Sequence, residues 1–196
     1  MIRLQLATHN ANKMREFREL LGPEFALEDL ISHPEIVEDG ATFLENARIK
    51  ALALARVWPG LVVADDSGLE VDSLGGAPGV RSARYAGEKA TDAENRQKLL
   101  AALAASPVSR RARFRCVLVL AQAGKVRASF EGSIEGKIVV TERGAAGFGY
   151  DPIFQPVGFE KTFAEMSAAE KNALSHRGAA VAQLREYLLK AAHLQE

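Results

Sequence analysis

The sequence predicts an α/β fold: a mixed central sheet flanked by helices, with a second lobe near residues 70 to 150. Three observations carry that expectation. The chain opens as a strand, a polar loop and a helix. Three helix starts repeat one pattern, Thr42-x-x-Glu45, Thr91-x-x-Glu94 and Ser167-x-x-Glu170. In such a capping box the first side chain accepts from a free backbone N–H and the glutamate reaches back to the cap. The strands are of two kinds: Leu61 to Ala64 is short and apolar on both faces, as interior strands are, whereas residues 111 to 121 alternate.

Taken in order, residues 2 to 7, "IRLQLA", alternate and form the first strand. Met14, Phe17, Leu20 and Leu21 share one face of the helix that follows, and Gly22-Pro23 stops it. The capping pattern then starts helices near residues 43 to 57, 92 to 105 and 168 to 190. The first of these is apolar nearly all round, the mark of a well-buried helix. On the last, Leu174, Val181, Leu184 and Leu188 form an apolar stripe. Residues 111 to 121 and 125 to 131 alternate on either side of Ala123-Gly124 and read as an antiparallel hairpin. The stretch "GAAGFGYDPIFQP" is too rich in glycine and proline for regular structure and reads as a loop.

Composition bounds the function. The 196 residues are 47% hydrophobic and 26% charged, enough for one domain, 1-196, of two joined lobes with a core of useful size. Formal net charge is zero, so no global field draws the chain to nucleic acid or to a membrane surface. No apolar stretch of about 18 residues is present for a membrane span. The single cysteine, Cys116, allows no internal disulfide and fits a reducing cytosol, so a cytoplasmic location is expected.

The stretch "VVADDSGLEVD" drives an apolar strand into Asp65 and Asp66. Neighbours on a strand point to opposite faces, so two carboxylates converge only where the strand ends, and Ser67-Gly68 reads as that ending. Ligands of open α/β sheets bind at strand ends. Buried neighbouring acids need cations, and oxygen ligands point to Mg²⁺; solvated acids in an Asx-type turn are the alternative. The loop "THNANK" (Thr8, His9, Asn10, Ala11, Asn12, Lys13) precedes a helix whose N-terminal N–H groups suit an anion, with Lys13 adding charge. Thr8 and Asn10 read equally well as caps. Glu38 precedes the buried helix, and Lys50 follows Asn46 by four residues, on the same face. "GFGYDP" joins Phe148, Gly149, Tyr150 and Asp151 in one loop, where an aromatic ring could stack on a base. In "EKNALSHRG", Arg177 falls on the apolar stripe and needs an anion or a carbonyl, while Gly178 reads as a helix break that turns Ser175, His176 and Arg177 toward a cleft. A structural arginine is the alternative. Together these are acids for metal or water, cations for phosphates and an aromatic loop for a base, which suggests nucleotide hydrolysis.

The segments "ATHNANKMREF", "FLENARIKA", "VVADDSGLEVDSLGGAPGVRSARYAG", "GFGYDPIF" and "EKNALSHRG" closely resemble the inosine triphosphate pyrophosphatase family, and the resemblance runs from residue 2 to about 190. It implies an elongated two-lobe fold with an active-site cleft, usually a homodimer, and Mg²⁺ as cofactor. The implied reaction is hydrolysis of ITP, dITP and XTP to the monophosphate and pyrophosphate, by water attack on the α-phosphorus. It implies Thr8, Asn10 and Lys13 in a phosphate loop, and Glu38 as an acid of the metal site. Asp65 and Asp66 would be the catalytic pair, with Asp66 both base and metal ligand, beside the catalytic lysines Lys13 and Lys50. Ser67 would touch substrate, Phe148 to Asp151 would form a base-stacking loop, and Lys171, His176 and Arg177 would contact the nucleotide and its base edge. His9 stands where such sequences often carry glycine, and Arg84 is a further cation whose role the resemblance does not assign. Two rival readings stand beside this one: a Maf-type pyrophosphatase for other modified nucleotides, and a non-catalytic nucleotide sensor. Turnover with Mg²⁺ separates the sensor from both enzymes.

Overall fold

A computed structural model describes residues 1–28, 36–104 and 109–193. The strands are β1 (Ile2–Leu6), β2 (Phe25–Glu28), β3 (Leu61–Val71), β4 (Arg111–Gln122), β5 (Lys125–Ile138) and β6 (Phe154–Pro156). The helices are α1 (Ala11–Leu21), α2 (Phe43–Ala55), α3 (Asp92–Ala104), α4 (Ala168–Leu174) and α5 (His176–His193). One six-stranded sheet runs in the order β2-β1-β3-β4-β5-β6. β1 is parallel to β2 and β3, while β5 is antiparallel to β6, so the sheet is mixed as the two strand types predict. The β4–β5 turn sets Ala123 and Gly124 at φ 49° and 71°, the left-handed pair that two-residue hairpins with the native strand twist require.

The chain divides into two compact units, residues 1–66, 116–132 and 177–196 in the first and 67–115 and 133–176 in the second. The expected second lobe, near 70 to 150, is therefore interrupted by residues 116–132 and extends to 176. In the first unit Leu4, Leu6, Phe17, Val63, Leu118, Val181 and Leu184 share one core. α2 buries Ala47, Ala51 and Leu54 together with two polar residues, Asn46 and Lys50. In the second unit Leu69, Leu99, Phe114, Ile153, Phe154 and Phe163 pack together. Among the described residues no helix is long and apolar enough to cross a membrane.

All three capping boxes form. Thr42 accepts from the Glu45 N–H at 3.2 Å and Glu45 accepts from the Thr42 N–H at 3.1 Å; Thr91/Glu94 and Ser167/Glu170 repeat the exchange. A fourth, Thr162/Glu165, starts only a 3-10 turn. Thr42→Ala is expected to lower unfolding free energy by about 1 kcal/mol, read from the urea midpoint at unchanged slope.

Three expectations need correction. β3 does not end at Ser67-Gly68; it runs to Val71, because Leu69 and Val71 have a second core to enter. The helix expected at 168 to 190 is two, broken at Ser175 (φ −72°, ψ 156°) rather than at Gly178. "GAAGFGYDPIFQP" contains a 3-10 turn, Asp151–Ile153, and the strand β6. α3 ends at Ala104, and residue 105 of the expected helix lies outside the described residues.

Candidate active site

Because β3 continues, Asp65 and Asp66 lie mid-strand and diverge. Each collects its own partners. Asp65 is fully buried and accepts from Lys13 Nζ at 2.8 Å and from Arg177 Nη2 at 3.1 Å. The other arm of the same guanidinium, Nη1, donates to Glu16 on α1. Burial alone would raise the Asp65 carboxyl, but Lys13 and Arg177, with Lys50, outweigh it and hold the group well below the usual carboxylate range. Asp65 is thus a fixed anion that sets Lys13 in place. Beside it, burial pushes the Cys116 thiol up to about 12.

Asp66 lies against α2. Its Oδ2 accepts from Asn46 Nδ2 at 3.1 Å, and Lys50 Nζ stands 3.6 Å from Oδ1. Lys50 also donates to Glu38 at 2.8 Å. The shared face of Asn46 and Lys50, legible from their spacing of four, is the face turned to this acid. Burial raises the Asp66 carboxyl, and Glu38 and Asp65 add to that; the attraction of Lys50 and Lys13 does not cancel it. Lys50 is raised as well: burial works against its charge, but Asp66, Asp65 and Glu38 outweigh burial. The two neighbouring acids are therefore unlike: one is held charged by two cations, the other is disposed to take up a proton.

The loop before α1 is ordered by its own side chains. Asn10 is the N-cap and accepts from the Asn12 and Lys13 N–H groups at 2.9 and 3.1 Å, and Thr8 Oγ1 accepts from the Asn10 N–H at 3.1 Å. Asn10 thus caps α1, while Thr8 braces the cap residue itself. His9, Asn10 and Ala11 stay exposed, with Asn12 and Lys13 half-buried.

A divalent cation can be tested against this donor set. Among the described residues no group of three or more His, Cys, Asp or Glu side chains forms a ready-made cage. Glu38 and Asp66 nevertheless both reach Lys50 Nζ, and both keep part of their side chains open, 29% and 10%. Mg²⁺ uses one or two carboxylates together with substrate phosphates instead of an all-protein cage, so this pair fits it. Asp65, closed in by two cations, does not belong to that pair.

In the second unit the aromatic loop is built around Asp151. Its Oδ2 accepts from Lys171 Nζ at 2.6 Å and from the Phe148 N–H at 2.9 Å. Gly147 is required for that closeness: a Cβ there would lie 2.1 Å from Asp151 Oδ2. The half-buried Phe148 ring has Lys171 Nζ 4.9 Å from its centroid, a cation–π contact. Tyr150 departs from the base-stacking expectation. It is 4% exposed, packs in the second core and donates its hydroxyl to the Ser82 carbonyl at 2.9 Å. His176 is buried with its ring stacked on Phe114 at 4.8 Å, and Ser67 is half-buried. Arg177 donates to Glu16 and Asp65, so the anion its place on the stripe demanded is supplied by a pair of carboxylates. Glu16 escaped the sequence reading, although its place three residues after Lys13, beside the buried Phe17, marks it as turned inward on α1.

The fold and the acid–lysine cluster define a protein suited to polyanions and a hard divalent cation. The Ham1 family profile matches residues 4–187, and the chain belongs to that family. It is 49% identical over 185 residues to the dITP/XTP pyrophosphatase of Desulfotalea psychrophila, covering 92% of this chain and 82% of the relative. It is 46% identical over 188 residues to that of Bacillus subtilis, covering 93% and 95%. Among solved structures, a HAM1 protein from Coxiella burnetii matches with TM-score 0.87 and 44% identity over 97% of this chain and 100% of that one.

Proposed function

We propose that the chain acts as one nucleotide pyrophosphatase domain that hydrolyses non-standard purine nucleoside triphosphates, ITP, dITP and XTP, to the monophosphate and pyrophosphate. The observation that carries the chemistry is the contrast between two adjacent acids, Asp65 paired with Lys13 and Arg177, and Asp66 raised by burial. Asp66 takes the proton of a water whose oxygen attacks the α-phosphorus; the bond to the α,β-bridging oxygen breaks and pyrophosphate leaves with its electron pair. General-base help of this kind is worth about 10²- to 10⁴-fold. Lys13, aimed by Asp65, and Lys50, aimed by Glu38 and Asp66, address phosphate oxygens. Glu38 and Asp66 would hold Mg²⁺, which when bound neutralises charge on those oxygens.

Base choice falls to the second unit. Phe148 offers a ring face, which holds any purine without telling one from another. Lys171 only donates, and so suits the 6-oxygen of hypoxanthine or xanthine and not the 6-amino group of adenine, with His176 as a further candidate for the base edge. Arg177 is assigned here to Asp65 and Glu16. A cytoplasmic homodimer completes the reading, as the family likeness implies. The names carried by the relatives support the substrate class. The test is product identification on a panel of dITP, ITP, XTP, GTP and ATP with Mg²⁺. The expected products of dITP are dIMP and pyrophosphate, with turnover abolished by chelation and restored by Mg²⁺. A diphosphate with orthophosphate would overturn α-attack.

A further inference from the structure

We infer that Asp92 and Arg96 of α3 are positioning residues that set the Phe148 loop for the base, an assignment that rests on the reading of that loop given above. The two side chains lie one turn apart on the helix and take hold of a single residue. Asp92 Oδ2 accepts from the Gly149 N–H at 2.7 Å, and Arg96 Nη1 donates to the Gly149 carbonyl at 2.9 Å. Both polar groups of one loop residue are therefore held by side chains rather than by secondary structure. Residues four apart on a helix face the same way, which is what lets one helix supply both ends of the clamp.

The clamp has a reason to exist. Gly149 sits at φ +60°, in the left-handed region that glycine enters freely. An added Cβ there meets nothing within 4 Å, so packing does not hold the residue in that conformation. Its neighbour Phe148 is tied at its own N–H to Asp151, and Tyr150 is anchored in the core. Without α3, the N–H and carbonyl of Gly149 itself are left to solvent, although the Asp151 N–H still closes the turn onto the Phe148 carbonyl at 3.1 Å. Arg96 is itself braced: its Nε donates to Glu142 at 2.9 Å, and its side chain is 14% exposed. A glycine-rich loop is mobile by composition, and a half-buried ring loses binding strength when the backbone under it wanders. The clamp reduces that cost by ordering the loop before substrate arrives. Neither residue touches the base in this account, so neither is catalytic.

The experiment separates the clamp from the loop's role. Asp92→Ala and Arg96→Met should each raise the KM for dITP, by about fivefold to tenfold, with kcat within about twofold, the pattern of lost uniform binding. Asp92→Asn keeps an acceptor oxygen and should restore KM to near wild type, which a role confined to helix charge does not predict. Hydrogen exchange at the Gly149 amide should accelerate in Asp92→Ala and stay slow in Asp92→Asn, a readout independent of activity. If exchange is unchanged in Asp92→Ala, the clamp is wrong. If exchange accelerates while KM holds, and Phe148→Ala raises KM, the clamp exists but does not position the loop for the base, and the inference is overturned. If Phe148→Ala itself leaves KM unchanged, the failure lies in the reading of the loop, and the positioning role falls with it.

Discussion

Asp66→Asn is expected to lower kcat for dITP by about 10²- to 10⁴-fold while the protein stays folded. The two halves of that expectation have separate causes. The catalytic half follows from the side chain's disposition to accept a proton: burial raises it, and Glu38 and Asp65 reinforce the effect. An amide cannot take the proton. The folding half follows from the same shift read in the other direction. A carboxylate whose pKa is raised on folding is disfavoured in its charged form, so a neutral amide removes a cost instead of a support. Asparagine keeps an oxygen that can accept from Asn46, the bond that now measures 3.1 Å. The midpoint of thermal unfolding should accordingly stay within a few degrees of wild type. Near wild-type kcat at saturating Mg²⁺ would remove Asp66 from the role of base.

Arg177→Met should produce the largest loss of stability, about 3–5 kcal/mol, because it leaves Glu16 and Asp65 buried without their shared cation. Methionine fills much of the space of the arginine stem, so the loss reports on charge more than on packing. Domains of this kind are stable by roughly 5–15 kcal/mol, so the variant should unfold at a markedly lower urea concentration. Glu16→Gln should cost less, since Arg177 and Asp65 remain paired across 3.1 Å. Urea titration of both variants checks the order. Should Arg177→Met keep its stability and lose discrimination between dITP and dATP, the guanidinium serves the base edge after all.

How far the sequence could be read depends on the range of the interaction concerned. The capping boxes were legible because Thr42 and Glu45, or Ser167 and Glu170, are three residues apart and need no partner elsewhere. The shared face of Asn46 and Lys50 was legible for the same reason. The course of β3 was not: Ser67-Gly68 looks like an ending, and only Leu69 and Val71 entering a distant core overrides that local weakness. Glu16 was missed because its partner lies 161 positions away. Tyr150 was misplaced because an aromatic residue among glycines reads as exposed, while its contact with Ser82 is a tertiary fact. The acids themselves were found in sequence; their unlike environments, and so their division of labour, appear only when α1, α2 and α5 are in place.

The segmentation of the first unit bears on how the protein is made. Synthesis delivers Glu16 and Asp65 early, yet the guanidinium that neutralises both belongs to α5, in the last of the unit's three segments. That same helix carries Val181, Leu184 and Leu188 into the core around Phe17 and Val63. A nascent chain that has not yet released α5 from the ribosome therefore holds two acids with no arginine to meet them and a core with one wall absent. The first unit is completed only after translation has passed Leu188, and a polypeptide released before residue 177 has Asp65 without its second cation.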